Sequence, residues 1–185
     1  MDRRTIAMLV AALLSACGSP TETNLASNQS APDENAATPL SPPAPGTPGG
    51  LPDDRTPLEE PKGPIDPKSA EAAGQAIQSY GALIEQQRFS EATKLWGDAA
   101  AAKAFADRFK SASELHLQVG KPGDMEGAAG SIYITVPVVL YGRLNSGGEL
   151  SRSGKATLRR VNDVDGSTEA QRRWHIERIE LALAG

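Results

Sequence analysis

The sequence predicts an α+β fold in the last two thirds of the chain, with N-terminal helices packed on a four-stranded antiparallel sheet. Three observations support this prediction. Residues 68–109 repeat apolar positions at helical spacing. Residues 115–183 contain runs that alternate apolar and polar positions, as strands do. The 118 residues of 68–185 have the length of one domain, and helices followed by strands are typical of an α+β architecture.

The chain starts with a segment that is typical of a secretory leader. Arg3 and Arg4 give it a positive start, and the twelve residues from Thr5 to Ala16 are small or apolar and carry no charge. A helix that spans a bilayer needs about 20 apolar residues, so this run is too short for one. The sequence therefore predicts a signal peptide over residues 1–16.

Cys17 is the only cysteine of the chain and directly follows this run. The four residues 14–17, Leu-Ser-Ala-Cys, resemble the lipobox of bacterial lipoproteins. In that family the thiol is alkylated with diacylglycerol, the leader is cut before the cysteine, and the new amino terminus is commonly acylated. The resemblance implies a membrane anchor at Cys17 in the bacterial cell envelope, with the chain facing the periplasm. The alternative is a secreted protein with a chance cysteine near its cleavage site.

The residue after the cysteine bears on which membrane would hold the anchor. Gly18 stands where the lipoproteins that enteric bacteria retain at the inner membrane carry aspartate. The resemblance therefore implies the outer membrane.

Residues 17–67 have the composition of a disordered tether. Twelve of the 14 prolines lie in this stretch and none of the aromatic residues does, so it lacks the apolar surface that would offset the entropy of ordering. It carries eight acidic and two basic residues, a net charge of −6, whereas residues 68–185 carry a net charge of +1. We expect an extended acidic spacer between the membrane and a folded head, residues 68–185.

The helices of the head are predicted from capping residues and apolar spacing. Asp66 and Pro67 are suited to the N-cap and first position of a helix of about twenty residues. Ser90 precedes a short helical piece, and Asp98 is suited to cap a third helix. The apolar stripes of the first and third helices are Ala73, Ile77, Tyr80 and Ile84, and Ala102, Phe105, Ala106 and Phe109.

Four strands follow. The predicted strands cover residues 115–119, 131–143, 150–161 and 172–183. The glycine-rich stretch between the first two is predicted to be a connecting loop. In the last strand the apolar positions change from 174 and 176 to 179 and 181, which indicates a bulge or twist.

This order of elements resembles the nuclear transport factor 2-like, or SnoaL-like, superfamily. The resemblance rests on residues 80–96 (YGALIEQQRFSEATKLW), on residues 101–109 (AAKAFADRF) and on the W-x-I-x-x-I pattern of Trp174, Ile176 and Ile179. It implies a curved sheet wrapped around the first helix as a cone, with acids, histidines and tyrosines of any active member pointing into that cone. Relatives commonly dimerise through the sheet, so a homodimer is an expectation. A cystatin-like sheet over one helix is the alternative, and the two extra helices argue against it.

The candidate pocket residues are the polar side chains that such a cone could present. In strand 131–143, Tyr133 and Tyr141 share a mixed face with Thr135, opposite a wholly aliphatic face. That mixed face could line a cavity or meet a partner, and half-buried packing of the tyrosines is the simpler interpretation. The full candidate set is Tyr80, His116, Tyr133, Tyr141 and His175, with Asp107 as a candidate acid.

Several kinds of site are not predicted. Two histidines 59 positions apart and a lipidated cysteine give no metal-ligand spacing, and no cofactor motif is present. A near-neutral head gives no reason to expect nucleic-acid binding. Arg159-Arg160 and Arg172-Arg173 are interpreted as solvated sheet edges.

These observations favour a lipid-anchored envelope protein whose head is a non-catalytic binding or assembly module with an envelope protein or small ligand as partner. Two alternatives stay open. One is a small isomerase, dehydratase or hydrolase of the SnoaL-like type, which would need Asp107, His116 or His175 within hydrogen-bond reach of one another in a pocket. The other is a carrier of a small ligand.

Overall fold

Three α-helices, one 3₁₀ turn and five strands follow one another in residues 68–182. The computed structural model describes residues 40–54 and 63–182. The elements are α1 (Ala70–Glu85), α2 (Phe89–Ala92), a 3₁₀ turn (Thr93–Leu95), α3 (Ala99–Asp107), β1 (Ala112–Val119), β2 (Met125–Ala128), β3 (Ser131–Leu144), β4 (Glu149–Val161) and β5 (His175–Leu181). Helices packed on an antiparallel sheet confirm the predicted α+β class.

The first helix begins later than predicted. Its N-cap is Ser69, whose hydroxyl accepts a hydrogen bond from the Ala72 N–H at 3.1 Å. The Asp66 carboxylate instead accepts from the Lys68 N–H at 2.9 Å, in the turn before the helix. The predicted N-cap at Asp66 was therefore wrong, because two cap-forming residues lie three positions apart and local sequence does not choose between them. The predicted apolar stripe of α1 is confirmed, since all four of its residues are buried.

The predicted start of the third helix is confirmed. The Asp98 carboxylate accepts a hydrogen bond from the Ala101 N–H at 2.6 Å. Ala102 and Phe105 of α3 are buried, as the helical spacing predicts.

The sheet has five strands where four were predicted. Its order is β1-β3-β4-β5, and β2 pairs with the first residues of β3 as a hairpin. The predicted loop between β1 and β3 thus contains a strand. It was missed because all four residues of β2 are exposed and a glycine interrupts them, so no apolar alternation marks the strand.

The sheet has two faces of different character. On the inner face Ile134, Val136, Val138 and Leu140 are buried and join the α1 stripe in the core. We call the opposite side of the sheet, which carries Tyr133, Pro137, Val139 and Tyr141 on β3, the outer face. The predicted division of β3 into an aliphatic face and a mixed face is confirmed.

The predicted bulge in the last strand is present. Arg178 pairs with Thr157 and Ile176 pairs with Leu158, so Glu177 is an extra residue on β5. The insertion lets both Ile176 and Ile179 point into the core, where both are buried.

Residues 40–54 form a turn that packs on the head. The Gly46 N–H donates to the Leu51 carbonyl at 2.8 Å, and both Gly46 and Gly49 have positive φ. Leu51 is 8% exposed, and its Cδ2 lies 3.2 Å from the position that a Cβ on Gly120 would take. A 3.2 Å ion pair joins Asp54 to Lys121. The prediction of a disordered tether over 17–67 therefore does not hold for residues 40–54.

Candidate ligand-binding cavity

A cavity of about 380 Å³ lies between the helices and the inner face of the sheet. Its lining is mainly apolar and includes four aromatic side chains. The residues that line it are Tyr80, Ile84, Phe89, Phe105, Ala106, Asp107, Phe109, Lys110, Ala112, Leu115 and Leu140. The α1 stripe and α3 supply much of the lining, so the same spacing that builds the core also builds the cavity wall.

The aromatic side chains of this region form a continuous series. Tyr80 meets Trp96 edge-to-face with ring centroids 6.0 Å apart. Trp96 lies 5.5 Å from Phe105, and Phe105 lies 5.3 Å from Phe109. Such contacts add to the stability gained from burial and keep the rings in place. Tyr80, Phe105 and Phe109 of this series also line the cavity, and we call these three rings the aromatic wall.

Tyr80 is the polar group that lies deepest in this lining. Burial raises the pKa of its phenol to about 12, against smaller lowering effects of a hydrogen bond with the Trp96 side chain and of the Arg108 charge. Tyr80 is therefore a neutral phenol at physiological pH, suited to hydrogen bonding and not to acting as a base.

Two charged residues, Asp107 and Lys110, line the cavity, and two further cations, Lys103 and Arg108, lie beside them. The Asp107 carboxylate accepts a hydrogen bond from Lys103 at 2.7 Å and pairs with Lys110 at 2.9 Å. Hydrogen bonding to these two lysines lowers the pKa of Asp107, so its carboxylate is ionised at neutral pH. The Arg108 guanidinium lies over the rings of Phe105 and Phe109, 4.6 and 5.6 Å from their centroids. We call Lys103, Arg108 and Lys110 the cationic rim.

Of the five predicted pocket residues, the structure places only Tyr80 at this cavity. His116 and Tyr141 lie on the outer face as a cross-strand pair, with rings stacked at 5.0 Å. The His116 Nδ1 is 3.1 Å from the Glu85 carboxylate and its Nε2 is 2.7 Å from Glu114. Burial raises the pKa of the Tyr141 phenol, with smaller contributions from the charges of these two glutamates.

The other two predicted residues lie elsewhere. Tyr133 lines a second, polar hollow of about 150 Å³, and the other residues of its lining are Asp124, Glu126, Ile134, Thr135, Thr157 and Arg178. His175 lies against Gly97, where an added Cβ would come within 2.5 Å of its Cδ2. The structure thus brings His116 and Tyr141 together but does not gather all five residues.

The same placement bears on the enzyme alternative. Asp107 lines the cavity and is paired with two lysines, whereas His116 is held by two glutamates on the outer face. The Nδ1 of His175 lies 3.2 Å from the Arg173 carbonyl. Among the described residues, no hydrogen bond joins any two of Asp107, His116 and His175, the arrangement that this alternative needs.

The aromatic wall and the cationic rim were not predicted as parts of a site. Phe105 and Phe109 were assigned to a helical stripe only, although Phe109 lies beyond the end of α3 at Asp107. All three phenylalanines of the chain fall within residues 89–109. That concentration was the signal in the sequence that could have identified the wall.

One arginine interpretation was wrong. Arg160, expected at a solvated sheet edge, is 3% exposed. Its Nε donates to the Arg172 carbonyl at 2.9 Å, and it pairs with Asp163 at 3.0 Å. Asp163 also pairs with Lys68, and hydrogen bonding to Lys68 and then to Arg160 lowers the pKa of its carboxyl. The alternation of apolar and polar residues in β4 does not predict that Arg160 is buried, because its partners lie in the loop that follows the strand.

The predicted lipidation site, Cys17, lies outside the described residues. Over residues 40–54 and 63–182, no helix is both long and apolar enough to cross a bilayer. Within the same residues, no group of three or more histidine, aspartate or glutamate side chains is placed to hold a metal ion.

Comparisons with known proteins give structural neighbours only. No protein-family model matches the chain, and no curated protein matches it. An NTF2-like superfamily protein from Salmonella enterica is 11% identical, with a TM-score of 0.44 over 62% of this chain and 92% of its own. A protein described as the β subunit of a putative aromatic-ring-hydroxylating dioxygenase, from Novosphingobium aromaticivorans, is 13% identical, with a TM-score of 0.42 over 60% and 85%.

A third solved structure, Aln2 from a Streptomyces species, is 17% identical, with a TM-score of 0.37 over 62% of this chain and 93% of its own. All three TM-scores are below 0.5. The family of the head therefore stays a prediction from the order of its elements.

Proposed function

We propose that this chain is a lipid-anchored protein of the bacterial cell envelope whose head binds a small apolar ligand in the cavity between α1, α3 and the inner face of the sheet. The observation that carries the binding part is the cavity of about 380 Å³ with its aromatic wall. Ligand pockets in proteins commonly have volumes of about 300 to 1,000 Å³ and are mostly apolar with a few polar groups.

The chemistry of the lining favours binding over catalysis. Tyr80 is held as a neutral phenol, and the Asp107 carboxylate is already engaged by Lys103 and Lys110. Hydrogen bonding to the lysines lowers the pKa of the Asp107 carboxyl and so makes it a weaker base, and a neutral phenol is a poor base. Burial of apolar ligand surface contributes about 25 cal/mol per Å², so an aromatic ligand against this wall gains affinity mainly from contact area.

The binding part is tested with N-phenyl-1-naphthylamine, a neutral dye that fluoresces in apolar sites. The full chain with Cys17→Ser avoids attached acyl chains that would also take up the dye. Ala106→Trp adds a large side chain to the cavity lining, and Ala104→Trp adds the same side chain at an exposed position of α3 that does not line the cavity. We expect dye binding to be lost in the first variant and kept in the second. Equal binding by both variants would rule out the cavity as the site.

The anchoring part rests on residues 1–18. A positive start, a twelve-residue apolar run and Leu-Ser-Ala-Cys agree with the leader of a bacterial lipoprotein, and Gly18 favours the outer membrane with the head in the periplasm. A single acyl chain binds a bilayer only marginally, whereas two or more hold a protein stably.

The anchor is tested by growing cells on labelled palmitate. We expect label in the mature protein and none in Cys17→Ser. An intact mass showing an unmodified Cys17 sulfur in the membrane-bound protein would exclude the anchor. This result would leave the cavity proposal standing, because the two parts rest on different residues.

A further inference from the structure

Asp107 and Lys110 line the cavity with opposite charges, and Lys103 and Arg108 beside them give this group of four residues a net positive charge. Lys103, Arg108 and Lys110 form the cationic rim, and Asp107 is the carboxylate placed among them. Asp107 is shared by two ammonium groups, so it neutralises at most one of the three charges. Positive charge beside an apolar cavity favours anionic over neutral ligands, because it attracts and orients an anion.

Arg108 makes this charge available. Among the described residues no carboxylate pairs with its guanidinium, which lies over the faces of Phe105 and Phe109 instead. Both rings line the cavity, so the guanidinium is held beside the aromatic wall. A guanidinium in this position keeps its donors free for a carboxylate or another planar anion.

Lys110 lies nearer still, since it is part of the lining itself. Its ammonium is 2.9 Å from the Asp107 carboxylate, and Lys103 lies 2.7 Å from the other oxygen of the same group. If an anion binds Lys110 in place of Asp107, the Asp107 carboxylate keeps its ion pair with Lys103. Asp107 thus acts as an internal counter-ion that keeps Lys110 at the border and competes with the ligand for it.

We propose that the ligand is an amphiphilic anion, with an apolar body in the cavity against Phe105 and Phe109 and its anionic group at the rim, bound by Lys110 and Arg108. This inference rests on the proposed function, since it requires the cavity to bind a ligand. It adds the charge of the ligand, the two residues that select for it, and the residue that competes with it.

The test compares two dyes that share one skeleton. N-phenyl-1-naphthylamine is neutral, and 8-anilinonaphthalene-1-sulfonate carries a sulfonate on the same ring system. The measured quantity is the ratio of the affinities for the anionic and the neutral dye, in the full chain with Cys17→Ser. A charged hydrogen bond is worth enough for about a tenfold change in affinity. We expect the ratio to fall about tenfold in Lys110→Met and in Arg108→Met, and to be restored by Lys110→Arg.

A matched control removes a lysine elsewhere. Lys155 lies on β4 of the outer face, where it pairs with Glu180. Lys155→Met causes the same change in net charge, and its ratio should stay close to that of the parent. The opposite change, Asp107→Asn, frees both lysines and should raise the ratio about fivefold.

The outcomes separate the two proposals. If neither dye binds the parent chain, the proposed function and this inference are both wrong. If both dyes bind but the ratio is the same in the parent, Lys110→Met, Arg108→Met and Asp107→Asn, the cavity binds ligands without regard to charge and the inference alone is overturned. If a variant fails to fold, the inference is tested by the salt dependence of dye binding to the parent chain. Added salt should weaken binding of the anionic dye only, and equal salt dependence of the two dyes would overturn the inference.

Discussion

The phenol of Tyr80 shows how one residue can serve both the core and the cavity. Its ring belongs to the apolar stripe of α1, and its edge-to-face contact with Trp96 continues the aromatic series. Its hydroxyl is the polar part of a side chain that is only 4% exposed. Burial of the neutral, hydrogen-bonded hydroxyl costs little free energy, whereas the ionised phenolate would lose its hydration.

This environment predicts a pH dependence of stability. The folded state raises the pKa of Tyr80 from its ordinary value of 10.0 to about 12, so it retains a proton that the unfolded chain loses in this range. The stabilisation is complete below pH 10 and is lost as the pH rises toward 12. At about pH 11 we expect the parent to have lost about 1 kcal/mol from this group.

The measurement is the free energy of urea unfolding against pH for the parent and for Tyr80→Phe. The phenylalanine variant has no proton to lose at this position, so between pH 10 and 11 it should lose about 1 kcal/mol less of its free energy of unfolding than the parent. Other groups titrate in the same range and cancel in the comparison. Identical slopes in the two proteins above about pH 10 would contradict the assigned environment of Tyr80.

At the scale of the elements, strand pairing depends on close backbone approaches at glycines, and one of these lies near the cavity. The register of β1 and β3 shifts between Ala112 and Glu114, and the Glu114 carbonyl lies next to Gly142. A Cβ on Gly142 would lie 2.0 Å from that carbonyl oxygen. Glycine is therefore required here for steric reasons, at the end of the sheet that also contributes Ala112 and Leu115 to the cavity.

Gly142→Ala should destabilise the head by about 3 kcal/mol, because strand β1 must move to accept the methyl group. Gly127→Ala is the matched control: it lies in β2, and a Cβ there would have no atom within 4 Å. We expect the control to change the midpoint of urea unfolding little. Similar midpoints for the two variants would show that the backbones are farther apart than the structure places them.

At the scale of the whole molecule, residues 40–54 connect the N-terminal part of the chain to the head. Leu51 is buried next to Gly120 and Pro137 on the outer face, away from the core built on the inner face. Val139 on the same face is also fully buried. Leu51 and Asp54 are thus attached to the head at Gly120 and Lys121.

Removing this contact should loosen the attachment and lower stability. For Leu51→Ala we expect a loss of about 2 kcal/mol in the free energy of unfolding, since a large apolar side chain that is 8% exposed is truncated. Val164→Ala removes aliphatic atoms at a site that is 48% exposed and should have little effect. If both variants were equally stable in urea, residues 40–54 would not be held on the head in solution.

Features that follow from a local sequence pattern could be predicted, and features without such a pattern could not. The α1 stripe, the Asp98 cap, the two faces of β3 and the bulge in β5 were predictable, because each depends on neighbours within one turn or one strand. Strand β2, the buried position of Arg160 and the docking of Leu51 were not. The exposed residues of β2 show no apolar alternation. The burial of Arg160 depends on contacts with Asp163 and Arg172 in the following loop, and the docking of Leu51 depends on the surroundings of Gly120.

By itself, the sequence determined the leader-like start, the single cysteine that follows it, the α+β class and the apolar stripes, since all of these are local patterns of charge and spacing. Only the tertiary structure decided that Tyr80 borders the cavity while His116 and Tyr141 lie across the sheet. Only it enclosed a cavity between the aromatic wall, α1 and the inner face of the sheet. The physical reason is that periodicity fixes which face a side chain takes on its own element, whereas the packing of elements decides what that face encloses.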